Sequence, residues 1–262
     1  AFRGTSRQGS PGDIWVKELD DGPMSRLTFE GINGAPAWTA DGRAIIYRSA
    51  RSTDPNIVNN LFRISADGSG SPEPLLTDPR GVDFVAVSSR DGWVVAATSD
   101  VRAGGGDLLA FRPGQDSEVL PLLESPAYEG MPALSPDGRW LAYASNESGQ
   151  LEIYIRPFPE IDRGKWQVVS EDGGSWPRWS HSGTELFYAS SGGGFMTAEI
   201  RASPALTIGR RLRLHPSGPV PRFEVGLDDQ RFLRLWSGAA PDSASTELML
   251  IQNFLSTLRD QE

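Results

Sequence analysis

Short runs of apolar residues, bounded by polar residues and turn residues, recur along the whole chain. The clearest are Ala44–Ser49, Trp140–Ser145 and Leu151–Pro157, which are rich in β-branched and aromatic residues. Such residues favour strands because they pack well on a pleated, half-buried surface. The pattern predicts an all-β protein with one short helical tail at Phe254–Arg259.

One phrase joins these strands in pairs, and its best copy is Ser135-Pro136-Asp137-Gly138-Arg139. Asp can accept hydrogen bonds from its own turn, and Gly tolerates a positive φ, so the phrase predicts a tight hairpin turn. Copies are centred on residues 41, 91, 137, 182 and 229, at steps of 50, 46, 45 and 47. In the last copy we align Asp228-Asp229 with Pro136-Asp137. A strand-built repeat of this period predicts a β-propeller with one blade per repeat.

Each full repeat divides into four strands, A to D. In the blade at about 31–78, for example, A lies near Ala35–Thr39, B is Ala44–Ser49 and C is Asn60–Ser65. We therefore predict one six-bladed β-propeller of four-stranded antiparallel blades over residues 1–262. A partial blade at 1–30 precedes blades at about 31–78, 79–125, 126–172, 173–217 and 218–262. Residues 1–7 align with 46–52, so we expect the first blade to be incomplete at its N-terminus. The chain is then a fragment of a longer protein, and a seventh blade upstream is the alternative.

Composition limits the kinds of partner and ligand that the chain can bind. The formal net charge is −9, and the basic residues cluster only around Arg210, Arg211 and Arg213. Because a phosphate backbone requires clustered Lys and Arg, we expect no nucleic-acid partner. With no cysteine and two histidines, we expect no zinc site and no cysteine nucleophile. A calcium ion in the central channel of the propeller stays an open alternative, because Asp is common in the turns. No apolar run is long enough to insert into a membrane.

No catalytic constellation is visible. The chain lacks the Gly-x-Ser-x-Gly phrase of hydrolase nucleophiles. His181 falls in an A–B turn and His215 at the end of a strand D, and we interpret both as solvated turn residues. We therefore expect a domain without enzymatic activity and without a cofactor.

The candidate binding surface is the propeller face where the D–A and B–C loops meet, since loops on a rigid scaffold commonly carry binding residues. From the D–A loops we select Asp83, Tyr128, Glu129 and Trp176. From the B–C loops we select Arg48, Arg51, Asp100, Arg102, Asn146 and Glu147. This mixture of charged and aromatic side chains suits a protein, a peptide or a small polar ligand. The alternative is that these are ordinary solvated loops.

The repeat resembles the TolB-type, WD-like β-propeller repeat over the whole chain. The resemblance rests on these residues: Pro36-Ala37-Trp38, Asp41-Gly42-Arg43, Tyr47, Ser135-Pro136-Asp137-Gly138-Arg139, Tyr143 and Glu152-Ile153-Tyr154. It implies one of three settings. These are TolB itself, a periplasmic protein that binds partners with its propeller face; the propeller beside the hydrolase domain of prolyl oligopeptidase-like peptidases; and the C-terminal, extracytoplasmic half of bacterial membrane-anchored serine/threonine kinases and regulators.

The ending Thr246–Arg259 is similar to the chain terminus of the third group. This resemblance leads us to expect a sensor or interaction module of a signalling protein such as a kinase. It implies a periplasmic or extracytoplasmic location, with any membrane span outside these residues. A TolB-like scaffold and a peptidase propeller that gates substrate remain the alternatives.

Overall fold

The chain forms antiparallel β-sheets throughout the part that the structure describes. This structure, a computed structural model, describes residues 2–4, 12–18, 22–50, 59–99, 105–164, 167–202, 205–215, 223–226, 228–237 and 246–251. These residues form six sheets, in each of which the strands are hydrogen-bonded in chain order. The chain divides into two compact units, Ala1–Pro132 and Ala133–Glu262.

The first unit contains sheets I to III. Sheet I has three strands: β1 (Phe2–Gly4), β2 (Asp13–Lys17) and β3 (Met24–Arg26). Sheet II has four: β4 (Ile32–Trp38), β5 (Ala44–Ala50), β6 (Asn60–Ser65) and β7 (Glu73–Leu76). Sheet III also has four: β8 (Val82–Val87), β9 (Val94–Thr98), β10 (Leu108–Phe111) and β11 (Leu120–Leu123). Within this unit β4 packs on sheet I and β8 packs on sheet II. All five residues of β9 are buried.

Sheets IV to VI follow, and the boundary between the two units falls inside the first strand of sheet IV. Sheet IV comprises β12 (Glu129–Leu134), β13 (Trp140–Ser145), β14 (Glu152–Pro157) and β15 (Gln167–Val168), with a 3-10 helix at Ile161–Arg163. Sheet V comprises β16 (Gly174–Trp179), β17 (Glu185–Ser190), β18 (Phe195–Arg201) and β19 (Thr207–His215). Sheet VI comprises β20 (Phe223–Val225), β21 (Phe232–Ser237) and β22 (Thr246–Ile251).

The all-β prediction is confirmed, and β6 and β13 have the predicted bounds. Strands A begin earlier than expected: β4 begins at Ile32, where the sequence indicated residue 35. The cause is a bulge, because the register shifts between Gly34 and Ala37 and Ala35 has a φ of 48°. The blade count, the blade bounds and the incomplete first blade stay predictions. The predicted tail at Phe254–Arg259 lies outside the described residues.

The turns after strand A in sheets II, IV and VI follow the predicted chemistry, with one correction. In sheet IV the Ser135 hydroxyl donates to Asp137 at 2.6 Å, and Gly138 has a φ of 69°. In sheet VI the Asp228 carboxylate accepts the Gln230 N–H at 3.1 Å, and it is Asp229 that has the positive φ, 56°. The alignment of Asp228-Asp229 with Pro-Asp is therefore wrong by one residue. The pair replaces Asp-Gly, and Asp229 holds the backbone conformation that glycine holds elsewhere.

Candidate functional site

Neighbouring sheets are joined by a main-chain hydrogen bond that recurs at one place. Each time, an N–H at the start of strand A donates to the carbonyl of a residue that lies just before strand C of the preceding sheet. The pairs are Asn33 to Gly12 (2.9 Å), Val82 to Asn59 (2.8 Å), Glu129 to Gly106 (2.7 Å) and Gly174 to Leu151 (2.7 Å). This bond defines which residues of successive sheets are equivalent.

Arg48 and Asp83 stand at positions where later sheets have small residues. Arg48 of β5 pairs with Leu61, and the equivalent residues of β9, β13 and β17 are Ala97, Ala144 and Ala189. Asp83 follows Val82 in β8, as Gly34, Gly130 and Ser175 follow the equivalent residues of β4, β12 and β16. Arg3 of β1 shares the position of Arg48. We call the region where two neighbouring sheets meet a joint. The joint between sheets II and III thus carries a charged pair, whereas the next two joints along the chain carry alanine with glycine or serine.

The two charged groups form an ion pair that is partly shielded from solvent. Arg48 Nη1 donates to Asp83 Oδ1 at 3.2 Å, and the side chains are 24% and 35% exposed. Arg48 Nε is buried and has no acceptor among the described residues. A buried charge or N–H without full compensation costs free energy. Packing alone would therefore favour the small pair found in the later sheets.

A β-bulge sets the direction of Asp83. The β8–β9 ladder pairs Val82 with Thr98 and Phe84 with Ala97, so Asp83 lies between the two pairs. A bulge redirects one side chain and is common beside binding and catalytic sites. The carboxylate is thereby held at the end of the sheet by main-chain geometry and by Arg48.

Tyr128 completes this group. Its phenol lies above the backbone of Gly130, where an added Cβ atom would be 2.1 Å from the tyrosine oxygen. Burial and, secondly, the negative charge of Asp83 raise the pKa of Tyr128 to about 12. The phenol therefore remains protonated and can donate a hydrogen bond at neutral pH. We call Arg48, Asp83, Tyr128 and Gly130 the Arg48 cluster.

Glu129 anchors the segment that carries Tyr128. It is the first residue of β12, is only 3% exposed, and accepts a hydrogen bond from the Ser125 hydroxyl at 2.5 Å. The same hydroxyl accepts the Ala127 N–H at 3.0 Å. Glu129 is buried and holds this loop in place, and the loop in turn orients Tyr128. Glu129 is therefore not itself a contact surface, contrary to what the sequence had suggested.

The remaining candidate residues are not part of the Arg48 cluster, which lies within the first unit. Asn146 and Glu147 are exposed residues of the turn after β13, where the Glu147 N–H donates to the Ser145 hydroxyl at 3.2 Å. Trp176 was expected in a loop but lies inside β16 with a φ of 58°, and it packs against the aromatic residues of sheets V and VI. Arg51, Asp100 and Arg102 lie outside the described residues.

The placement of Arg48, Asp83 and Glu129 in loops is corrected by the structure. All three lie in strands, near the ends of β5, β8 and β12. Arg48 already lies within the apolar run Ala44–Ser49. By contrast, β8 and β12 begin earlier than the apolar pattern indicated, because a bulge in β8 and the inter-sheet main-chain bonds prolong strand A. The structure brings together three of the ten candidates, Arg48, Asp83 and Tyr128, with Glu129 as their neighbour.

Buried polar networks at the sheet joints were missed by the sequence analysis. At the joint of sheets I and II, Asp13 accepts from Arg26 Nη2 at 2.7 Å, from Thr28 Oγ1 at 3.2 Å and from Asn33 Nδ2 at 3.4 Å. At the joint of sheets IV and V, Glu152 accepts from the Ser170 hydroxyl and, at 3.1 Å, from the Gly173 N–H. A polar residue at the start of strand C in sheets I to IV was the available signal: Asp13, Asn60, Asp107 and Glu152.

His181 is not merely a solvated turn residue. Asp229 Oδ1 lies 2.6 Å from the His181 main-chain nitrogen and 3.0 Å from its Nδ1, and Oδ2 accepts the Ser182 N–H at 3.0 Å. Burial raises the pKa of Asp229, but the hydrogen bonds from His181 and Ser182 together outweigh it, so the net shift is downward. This carboxylate fastens the turns of sheets V and VI to each other.

No helix in the described part of the chain is long and apolar enough to cross a membrane. In that same part, no group of three or more His, Cys, Asp or Glu side chains is placed to hold a metal ion.

Comparisons of sequence find no match to any family model or curated protein. Solved structures do match. TolB from Acinetobacter baumannii has a TM-score of 0.70 at 13% identity, over 93% of this chain and 57% of that one. This chain thus spans little more than half the length of that TolB. A structure of the nidogen/laminin complex has a TM-score of 0.65 at 10% identity, over 94% of this chain and 88% of the other.

A third match contains an enzyme. A prolyl endopeptidase structure has a TM-score of 0.60 at 14% identity, over 92% of this chain and 38% of that one. At such identities the similarity establishes the fold alone, a β-propeller like that of TolB.

Proposed function

We propose that this chain is a non-catalytic β-propeller module that binds a protein or peptide partner through the Arg48 cluster. One observation carries the proposal: a partly exposed ion pair replaces the two small residues that the later sheets have at the same positions. A charged pair that packing does not require is better explained by recognition. The similar structures support a protein-binding scaffold, since one of them is a complex of two proteins.

In its finer form, the proposal makes the module the extracytoplasmic part of a bacterial signalling protein such as a serine/threonine kinase. The resemblance of residues 246–259 to the end of such proteins supports this setting. A TolB-like periplasmic scaffold is the second candidate, and the similarity to TolB supports it. Both candidates place the binding surface on the propeller and outside the cytoplasm. A membrane-spanning kinase domain encoded upstream supports the first, whereas a signal peptide followed by a small α/β domain supports the second.

The binding proposal is tested with peptides. We would select peptides from a displayed random library on the immobilised chain, synthesise them with a fluorescent label, and measure their affinity by fluorescence anisotropy. The double variant Arg48→Ala/Asp83→Ser recreates the pair Ala144 and Ser175 of later sheets and should abolish binding. The control Asp41→Asn removes one charge from the A–B turn of sheet II and should bind as the unmodified chain does.

Equal binding by the double variant would place recognition elsewhere on the chain. The non-catalytic part has a separate test, in which the purified chain is incubated with peptide, ester and nucleotide substrates. We expect no hydrolysis. Turnover that disappears on substitution of a single serine or histidine would contradict it.

A further inference from the structure

We propose that the Arg48 cluster recognises a basic side chain, a lysine or arginine of the bound peptide, with the Asp83 carboxylate as its counter-ion and the Tyr128 ring as its wall. This inference rests on the proposed binding function and adds the charge of the partner. It is carried by the asymmetry of the Arg48–Asp83 pair, by the electrostatics around Tyr128, and by two arrangements of the same chemistry elsewhere in the chain.

The acidic side chain of the ion pair is more exposed to solvent than the basic one. Asp83 is 35% exposed and Arg48 is 24% exposed, and Arg48 Nε is buried. Among the described residues, Asp83 Oδ1 accepts from Arg48, and no hydrogen bond or ion pair engages Oδ2. Arg48 therefore acts as a fixing residue for the carboxylate. A ligand that approaches from solvent meets an acceptor oxygen already held in place.

The surroundings favour a cation over an anion. Asp83 adds to burial in raising the pKa of Tyr128, so its carboxylate lies near the phenol. The chain as a whole carries a formal charge of −9. A ligand carboxylate would have to displace Asp83 from Arg48 and remain beside it, whereas an ammonium or guanidinium group would add to the existing pair. Like-charge contacts are strongly disfavoured when they are partly desolvated.

The chain already places basic side chains between a carboxylate and an aromatic ring at two other sites. The Arg26 guanidinium pairs with Asp13 at 2.7 Å and lies 4.9 Å from the centre of the Phe29 ring. The Arg112 guanidinium pairs with Asp116 at 2.8 Å and lies 4.7 Å from the centre of the Trp93 ring. Asp83 and Tyr128 offer the same two groups, a carboxylate and an aromatic face, to a basic side chain that arrives from a partner.

The experiment uses a positional-scanning library of acetylated, amidated octapeptides that carry a fluorescent label. One position is fixed in turn as Lys, Arg, Glu, Asp, Leu or Ser, and affinity is measured by fluorescence anisotropy with the complete 262-residue chain. We expect pools fixed as Lys or Arg to bind about tenfold more tightly than pools fixed as Glu or Asp, the size of one favourable ion pair. The preference should weaken as salt is raised.

Variants connect this preference to the cluster. Asp83→Asn keeps the side-chain shape and should remove the preference for Lys and Arg. Tyr128→Leu removes the ring face and should weaken binding of those pools by about threefold, as expected of an exposed cation–π contact. Asp41→Asn, the charge-matched control, should leave the preference unchanged. If Asp83→Asn unfolds, Arg48→Ala/Asp83→Ser replaces it, and thermal unfolding of each variant is recorded beside its affinity.

The outcomes separate the two proposals. Tight binding that depends on the cluster but prefers Glu or Asp, or shows no charge preference, would overturn the basic-ligand inference and leave the binding function intact. A Lys or Arg preference that survives in both Asp83→Asn and the double variant would overturn the assignment to this site. If no pool and no selected peptide binds the unmodified chain, the proposed function itself fails.

Discussion

The joints between neighbouring sheets are built in two different ways. Between sheets I and II, the buried Asp13 at the start of strand C binds three surrounding side chains, those of Arg26, Thr28 and Asn33. Between sheets V and VI, the equivalent position is Gly194, and four phenylalanines fill the joint instead: Phe187, Phe195, Phe223 and Phe232. The ring centre of Phe195 lies 4.5 Å from that of Phe223 and 4.9 Å from that of Phe232.

The two kinds of joint should respond differently to substitution and to pH. An aromatic joint is stabilised mainly by burial of apolar area, which does not depend on pH and tolerates some change of shape. A polar joint depends on direction and charge, and the loss of one partner leaves another buried group without a hydrogen bond. One fold therefore accepts either solution at equivalent positions, and substitutions can distinguish them.

The largest effect is expected in the aromatic joint. Phe195→Ala removes a side chain that is 6% exposed and contacts three other rings. The lost burial and the resulting cavity should lower the free energy of unfolding by about 3–5 kcal/mol, measured by urea denaturation. Phe195→Leu, which fills most of the space, should cost about 1 kcal/mol.

Phe29→Ala is the matched control, because this ring is 71% exposed. It should change the free energy of unfolding by no more than about 0.5 kcal/mol. An equal loss in Phe29→Ala and Phe195→Ala would mean that the four rings do not form a packed joint.

A polar joint should lose less on truncation. Glu152 is 4% exposed, and Glu152→Ala leaves the Gly173 N–H and the Ser170 hydroxyl without their acceptor. We expect a loss of about 2 kcal/mol by urea denaturation. Glu152→Gln retains one acceptor oxygen and should recover part of this loss. Glu171→Ala breaks an ion pair with Arg211 at a side chain that is 69% exposed, and should cost less than about 1 kcal/mol.

Acid should weaken the polar networks and spare the aromatic joint. The hydrogen bonds from Arg80 are the largest cause that lowers the pKa of Asp78 below its ordinary 3.8, against the opposing effect of burial. A carboxyl whose pKa is lower in the folded state stabilises the fold fully above pH 3.8 and loses that contribution as pH falls toward the folded pKa.

Asp78→Asn should therefore cost about 1–2 kcal/mol at pH 6, and the difference from the unmodified chain should shrink as pH falls below 3.8. Urea denaturation at several pH values measures this. The cost of Phe195→Ala, taken as the difference from the unmodified chain at each pH, should stay constant over the same range. A cost of Asp78→Asn that does not change with pH would show that the Asp78 carboxylate does not stabilise the fold by its charge.

Local patterns predicted most of the architecture. Alternating apolar residues and Asp-Gly turns are signals within one hairpin, which is why β6 and β13 have the predicted bounds. The starts of strands A were missed because Ala35, Met131 and Trp176 have a positive φ, at Ala35 and Trp176 within a bulge, and their residue types do not indicate this. Only the proline that follows each of them is visible in the sequence.

The sequence indicated three residues of the candidate site but not the contacts that group them. Arg48, Asp83 and Tyr128 were selected as loop residues on one face, but their grouping depends on the register between three sheets. That register is established by main-chain bonds such as Val82 to Asn59, whose residues lie far apart in the chain. The comparison that makes Arg48 and Asp83 unusual, with Ala144 and Ser175 at the equivalent positions, requires the same register.

The smallest effect on stability is expected where the binding proposal predicts the largest effect on function. Asp83→Ser alone leaves the Arg48 guanidinium partly buried without its carboxylate and should cost about 1–2 kcal/mol by urea denaturation. Arg48→Ala/Asp83→Ser removes both charges and recreates the small pair of sheets IV and V, so its free energy of unfolding should lie within about 1 kcal/mol of the unmodified chain. A double variant less stable than the single one would show that the fold needs this ion pair. Recovery of stability without recovery of peptide binding would assign the pair to recognition, because a group kept for packing cannot be removed at so small a cost.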